Sequence, residues 1–187
     1  MKKLMIALAV AAVAVMGQAS QVKWSSGALT DPDGASAAGL RYWCFISSDT
    51  SGSTAANKLL TIAQAEEYLA AGDFATLKTY NSKVGTVATG TDAIGTTYTT
   101  QNAAWTTGTT IDSFVVLFDV ADKDATGAEH YMILEPEATI SFANADQQST
   151  FTVTAGDWTA ITAAPEPTSG LLLLLGVAGL ALRRRRA

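Results

Sequence analysis

Residues Leu40–Ser47 read LRYWCFIS, and this stretch decides the fold. It is dense in aromatic and β-branched residues and bounded by Gly39 on one side and Ser48-Asp49 on the other. Such a run favours a central strand. Ser113–Val120 (SFVVLFDV) is a second run of the same kind. A polar loop, DVADKDATGAEH, leads from it to a third, Tyr131–Leu134 (YMIL), which predicts a hairpin or a longer antiparallel connection. Thr139–Phe142 and Phe151–Val153 add two short strands, and the alternation FTVT leaves one face apolar. Val22–Trp24 is placed to begin the sheet.

One segment breaks the β pattern: LLTIAQAEEYLAAGDFATLKTY. Thr61 and Gln64 stand at capping-box spacing, so Thr61 is a predicted N-cap. Ile62, Ala65, Tyr68 and Leu69 then give a helical apolar face, with Glu66 and Glu67 outside and Gly72 as the stop. Asp73 is placed to cap a second short helix running to Tyr80. The fold class expected for residues 20–160 is mainly β: a β-sandwich-like domain with a short helical insertion near 61–80, the alternative being a mixed α+β fold. Gly85–Thr110, rich in threonine and glycine, reads either as edge strands with loops or as a mobile surface region. Its clustered threonines offer O-glycosylation sites, although threonine is common in exported β proteins.

The flanks carry different information. MKKLMIALAVAAVAVMGQAS has a basic start at Lys2 and Lys3, an apolar stretch from Leu4 to Met16, and small residues at Gly17 and Ala19. This is the pattern of a signal peptide, residues 1–19, with cleavage between Ala19 and Ser20 by signal peptidase. Far downstream, residues 164–187 read APEPTSGLLLLLGVAGLALRRRRA. The stretch Ser169–Leu182 is uncharged and almost entirely apolar; as a helix it spans about 21 Å against about 30 Å of hydrocarbon. The arginines Arg183, Arg184, Arg185 and Arg186 can snorkel to the headgroups, and the positive-inside rule keeps them cytoplasmic, with the body outside. Pro165 and Pro167 hold the chain extended just before the apolar stretch, where a membrane-embedded peptidase can grip it.

Pro165-Glu166-Pro167, the predicted transmembrane helix 169–182 and Arg183–Arg186, in that order, resemble a PEP-CTERM sorting domain; residues 161–187 form this expected unit. The resemblance implies recognition by an exosortase-type transpeptidase, processing at or near Pro-Glu-Pro, and a bacterial host that makes exopolysaccharide. The destination it implies is the cell surface or the extracellular matrix of a biofilm, after transient anchoring in the inner membrane. It implies nothing about the activity of the body.

Composition narrows that activity. The chain has a net charge of -5, and between residues 20 and 164 six basic residues face 16 acidic ones. Such a surface repels nucleic acid and anionic lipid. Cys44 is the only cysteine, which excludes an intramolecular disulfide and reads as a small buried hydrophobe. His130 is the only histidine, no Gly-x-Ser-x-Gly elbow is present, and a Cys44–His130 pair has no local signature to support it. Zinc would need more ligands of these types. Asp119, Asp122 and Asp124 are weak candidates for a cation, because Asp122-x-Asp124-x-Thr126-Gly127 matches half of a calcium loop. Ile133 stands where the bidentate Glu should be, so the EF-hand pattern fails. Asp31-Pro32-Asp33-Gly34 is a turn signal, and Glu135 and Glu137 would make a glycosidase pair only if folded into a cleft. Trp24, Trp43, Trp105 and Trp158 could form a sugar-stacking platform, with Trp105 the one expected to be exposed.

The expected function is that of a non-enzymatic structural domain without cofactors on an exported surface or matrix protein. The alternatives are a carbohydrate-binding module of the exopolysaccharide matrix and, further off, a secreted hydrolase.

Overall fold

The computed structural model describes residues 21–52, 54–99, 105–143 and 147–162. The expected signal peptide with its expected cleavage between Ala19 and Ser20, the Pro165–Pro167 motif, the apolar stretch 169–182 and Arg183–Arg186 lie outside these residues. Among the described residues no helix is long and apolar enough to cross a membrane.

The two longest strands, β2 (Arg41–Asp49) and β5 (Thr110–Phe118), pair antiparallel at the centre. Both are apolar without alternation because both faces are covered. From β2, Tyr42, Cys44 and Ile46 point into one core, and Trp43 and Phe45 into another. β5 continues antiparallel into β6 (His130–Pro136), as the hairpin reading expects, with the polar loop between them. The strand order is β3-β2-β5-β6-β8-β1-β4, where β1 is Gln21–Ser26, β3 Lys83–Thr86, β4 Gly95–Thr99 and β8 Gln148–Thr154. A short β7 (Ile140–Ser141) pairs with β5, and β9 (Trp158–Ala160) pairs with β6. The domain is thus mainly β, with few and short helices.

β6 is the hinge of this sheet. Its first half pairs with β5, while Glu135 and Pro136 pair with Thr154 and Val153 of β8. The sheet folds back there, so the wing of β8, β1 and β4 faces the wing of β3, β2 and β5 across a shared core. The indole of Trp24 on β1 donates to Ser113 Oγ on β5 at 2.6 Å, a contact between strands that are not neighbours in the sheet. β8 and β9 run as one interrupted strand. Four residues of β6, Met132 to Glu135, oppose five, Thr154 to Trp158, which leaves one extra residue as a bulge. Gly156 sits in it, where a Cβ would lie 2.6 Å from the Ile133 carbonyl oxygen.

The helices cover the outer face of the β2–β5 wing. Thr61 caps α1 (Ile62–Ala70) with both halves of a capping box: Gln64 N–H donates to Thr61 Oγ1 at 3.3 Å, and Thr61 N–H donates to Gln64 Oε1 at 3.0 Å. Gly72 ends the helix at a φ of 68°, a left-handed backbone that suits glycine. Asp73 accepts from Thr76 N–H and starts α2 (Phe74–Thr79). Ala65, Leu69 and Leu77 are buried against Trp43, Phe45, Phe114 and Phe118, while Ile62 and Tyr68 are only half-buried at the margin. Of the threonine-rich stretch, residues 85–86 and 95–99 are edge strand and 105–110 wrap one end of the core; residues 100–104 lie outside the description.

Candidate functional site

A cleft of about 550 Å³ opens between the start of α2 and the β5–β6 loop, lined by Asp73, Phe74, Lys78, Asp124 and Gly127 among others. Its charged groups are already paired. Asp124 is gripped by Lys123 and Lys78, which hold its carboxyl down at about 2, and Asp124 in turn raises Lys123. Thr76 holds Asp73 below its usual range. Asp122 closes the loop on itself, accepting from Asp124 N–H at 2.9 Å and Thr126 N–H at 3.2 Å, and these bonds lower its pKa. A pair such as Lys78–Asp124 clips two chain segments together, whereas a general acid needs a carboxyl poised near neutrality.

Asp119 and His130 form the closest approach to a catalytic pair, with Asp119 Oδ2 3.0 Å from His130 Nδ1. Asp119 also accepts the Glu129 N–H at 3.1 Å. The three aspartates singled out by sequence therefore have separate duties: Asp119 faces His130, Asp122 folds the loop and Asp124 binds lysines. Among the described residues no group of three or more His, Cys, Asp or Glu side chains converges as metal ligands would. Cys44 is buried between the wings, and burial pushes its thiol well up, away from the reactive thiolate. Its strand partner Val115 lies opposite Leu134, four residues along β6 from His130, or about 13 Å. The fold does not bring Cys44 and His130 together.

The tryptophans correct one expectation. Trp105 is fully buried, not exposed. Its indole donates to Asp49 Oδ2 at 2.9 Å, and its ring lies 5.4 Å from that of Phe142. The polar threonines around it belong to a loop that closes the end of the core: Gly108 N–H donates to the Phe142 carbonyl, and Phe142 N–H to the Thr109 carbonyl. Trp24 and Trp43 are fully buried too; Trp158 is half-exposed and donates to the Thr30 carbonyl at 3.0 Å. No shared tryptophan platform results. Glu135 and Glu137 are exposed on either side of Pro136, where β6 passes between the wings and ends, and neither lines the cleft. Asp31 makes the turn expected of it, its Oδ1 accepting from Asp33 and Ala35 N–H.

Sequence reasoning missed the Asp49 hub. Asp49 accepts from Ser51, Thr54 and Trp105. Burial would raise its pKa, yet the hydrogen bonds outweigh burial and hold it low. The spacing of Asp49 to Ser51 signals an Asx turn. Nothing local signals Trp105, 56 residues away.

No curated protein and no solved structure matches the chain. Residues 163–186, just beyond the end of β9, match the family model of the PEP-CTERM protein-sorting motif. The tail of this chain is therefore a PEP-CTERM protein-sorting motif, which marks the protein for export through an exosortase-type sorting system with membrane-anchored sorting before release.

Proposed function

We propose that this is an exported surface or extracellular-matrix protein whose body, residues 20–160, is a non-enzymatic, β-sandwich-like structural domain. The observation that carries the reading is the sorting motif at residues 163–186. The signal-peptide pattern at residues 1–19 supports it from the other flank. The state of the polar groups supports a structural role. Each carboxylate whose pKa is displaced, at Asp49, Asp73, Asp122 and Asp124, is displaced downward by hydrogen bonds or lysines that tie loops in place. A carbohydrate-binding body would need an exposed aromatic surface, and Trp105, the residue expected to supply it, is in the core.

In this reading signal peptidase cuts after Ala19, an exosortase-type transpeptidase processes the tail at or near Pro165–Pro167, and the body is displayed in or near exopolysaccharide. The test is the intact mass of the protein from native cells and medium, beside a variant with Pro165, Glu166 and Pro167 all changed to Ala. The expected result is a mature mass lacking both the first 19 residues and Arg183–Arg186, with uncut precursor of the variant in the inner membrane. Normal processing of the variant would overturn the sorting reading. Turnover of a polysaccharide or peptide substrate by the pure body would overturn the non-enzymatic one.

A further inference from the structure

The strand directions give the body two unlike poles. β1 starts at Gln21 beside Thr99 and Gln148, at the pole where Trp105, Phe142 and Asp49 close the core. β9 continues the direction of β8, which is parallel to β1, and delivers the chain to the opposite pole, where Ile161 N–H donates to the Glu129 carbonyl at 2.7 Å. That second pole is made of three loops stitched together. Arg41 N–H donates to the Val120 carbonyl, Gly39 N–H to Val87, Leu29 N–H to Asp92, and the Trp158 indole to Thr30.

The chain is held at Ile161, and the sorting motif begins at residue 163. From Ile161 to Pro165 is four residues, at most about 14 Å, and to Pro167 at most about 22 Å. The nine-residue strands β2 and β5 add about 30 Å before the other pole is reached. An enzyme that holds Pro165–Pro167 must therefore sit against the Ile161 pole, and the short leash keeps it from the other. The exposed carboxylates Asp33, Asp122 and Glu129 outnumber the exposed Lys123 at this pole, and this net negative charge repels anionic lipid, which favours protein over bilayer as the surface met there.

We propose that this pole, comprising the β5–β6 loop, the loop before β2 and the end of β9, is the surface on which the exosortase-type peptidase rests while it processes the tail. The inference rests on the sorting reading and deepens it: the folded body is part of what the peptidase meets.

The experiment places a photo-crosslinking residue singly at Ala121 or Thr126, exposed at the proposed surface, or at Ala138, exposed toward the other pole. The full precursor is expressed in its native host with an epitope-tagged peptidase. The expected result is a peptidase adduct at Ala121 or Thr126 at least roughly tenfold above that at Ala138, because the leash imposes a high local concentration at one pole only. Twelve Gly/Ser residues inserted after Thr162 add a flexible span of roughly 19 Å and should cut the adduct several-fold while the tail is still processed. Equal adducts at both poles, adducts to lipid alone, or no adduct while the tail is cut would each overturn the proposal. The variant with Pro165–Pro167 changed to alanines, run alongside, separates the two claims. If it is processed normally, the sorting reading fails; if it is blocked and Ala121 and Thr126 stay unlinked, only the docking surface fails.

Discussion

The two cores on either side of β2 and β5 are closed by different means. The core between the wings gathers residues from segments far apart in sequence, and its tryptophans are tied by polar bonds: Trp24 to Ser113 and Trp105 to Asp49. The core under the helices is filled largely by neighbours, with Leu60, Ala65, Leu69 and Leu77 from one 18-residue stretch against five buried aromatic side chains. There Trp43 is fully buried, edge-on to Phe118 at 4.8 Å, and its indole nitrogen has no partner. Hydrogen bonds tie the tryptophans of the first core, whereas the tryptophan of the second is held by packing. A buried N–H without an acceptor is a cost the aromatic packing offsets.

The sharpest way to break this comparison is to remove each indole N–H in turn. Trp105→Phe deletes a bond to a carboxylate and leaves Asp49 short of a donor in a partly buried place, whereas Trp43→Phe deletes an N–H that bonds nothing. Both lose ring volume. Chemical denaturation of the mature protein should show Trp105→Phe more destabilised than Trp43→Phe by about 1.5–3 kcal/mol, the worth of a hydrogen bond to a charged group. Equal losses would mean that ring volume alone decides and that the rim bond is idle.

Next in size is the open side between the wings. Tyr42 is buried, its ring lies over Gly85 on β3, and its hydroxyl hydrogen-bonds Thr96 on β4. A Cβ at Gly85 would come within 2.3 Å of that hydroxyl and 2.4 Å of the ring. Gly85→Ala should therefore cost about 1–3 kcal/mol as an overpacking change, and Tyr42→Leu in the same chain should recover part of it. If Gly85→Ala is neutral, the wings have slack on this side and the tyrosine does not set their separation.

These two sites mark where the sequence is opaque. LRYWCFIS, the β5–β6 hairpin and both helix caps were legible because each is a local pattern: an apolar run, a Thr-x-x-Gln box, an Asp before a short helix. Trp105 was misread because its neighbours are polar and its acceptor is 56 residues away. Gly85 looked like one more glycine in a low-complexity stretch, since only register places it opposite Tyr42. The same holds for the candidate chemistry. Asp119, Asp122 and Asp124 are close in sequence, but loop geometry and Lys78, from another segment, assign them separate work. The sorting motif was wholly legible, because a peptidase reads it as a linear signal.

A smaller effect tests the locally specified helices. Thr61→Ala removes the side chain that accepts the Gln64 N–H and half of the capping box. The expected loss is about 1 kcal/mol, and Thr61→Ser should restore most of it. Because the helix-side core holds Leu69 and Leu77 by shape, amide exchange in α1 should rise more than exchange in β2. Uniform acceleration in both would show that the two cores unfold as one unit.

The smallest expected effect is on pH dependence, and it bears on both poles at once. Asp49 and Asp124 have folded pKa values below the unfolded value of about 3.9. A depressed carboxyl contributes stability above its unfolded pKa, and the contribution fades as pH falls through the folded one. The melting temperature should therefore be flat above about pH 5 on this account and decline toward pH 2, the value near which Asp124 titrates. The Asp124 side chain is 42% exposed and screened by solvent, so Asp124→Asn should flatten the decline only slightly, and less so in high salt. Asp49, partly buried and bonded to Trp105, should matter more: Asp49→Asn removes more of the acid slope and is less sensitive to salt. If Asp124→Asn flattens the slope more than Asp49→Asn does, the lysine clip at the tail pole outweighs the bonds that close the far end of the wing core. The comparison between a rim held by hydrogen bonds and a helical layer held by shape would then have to be redrawn around the Lys78–Asp124 contact.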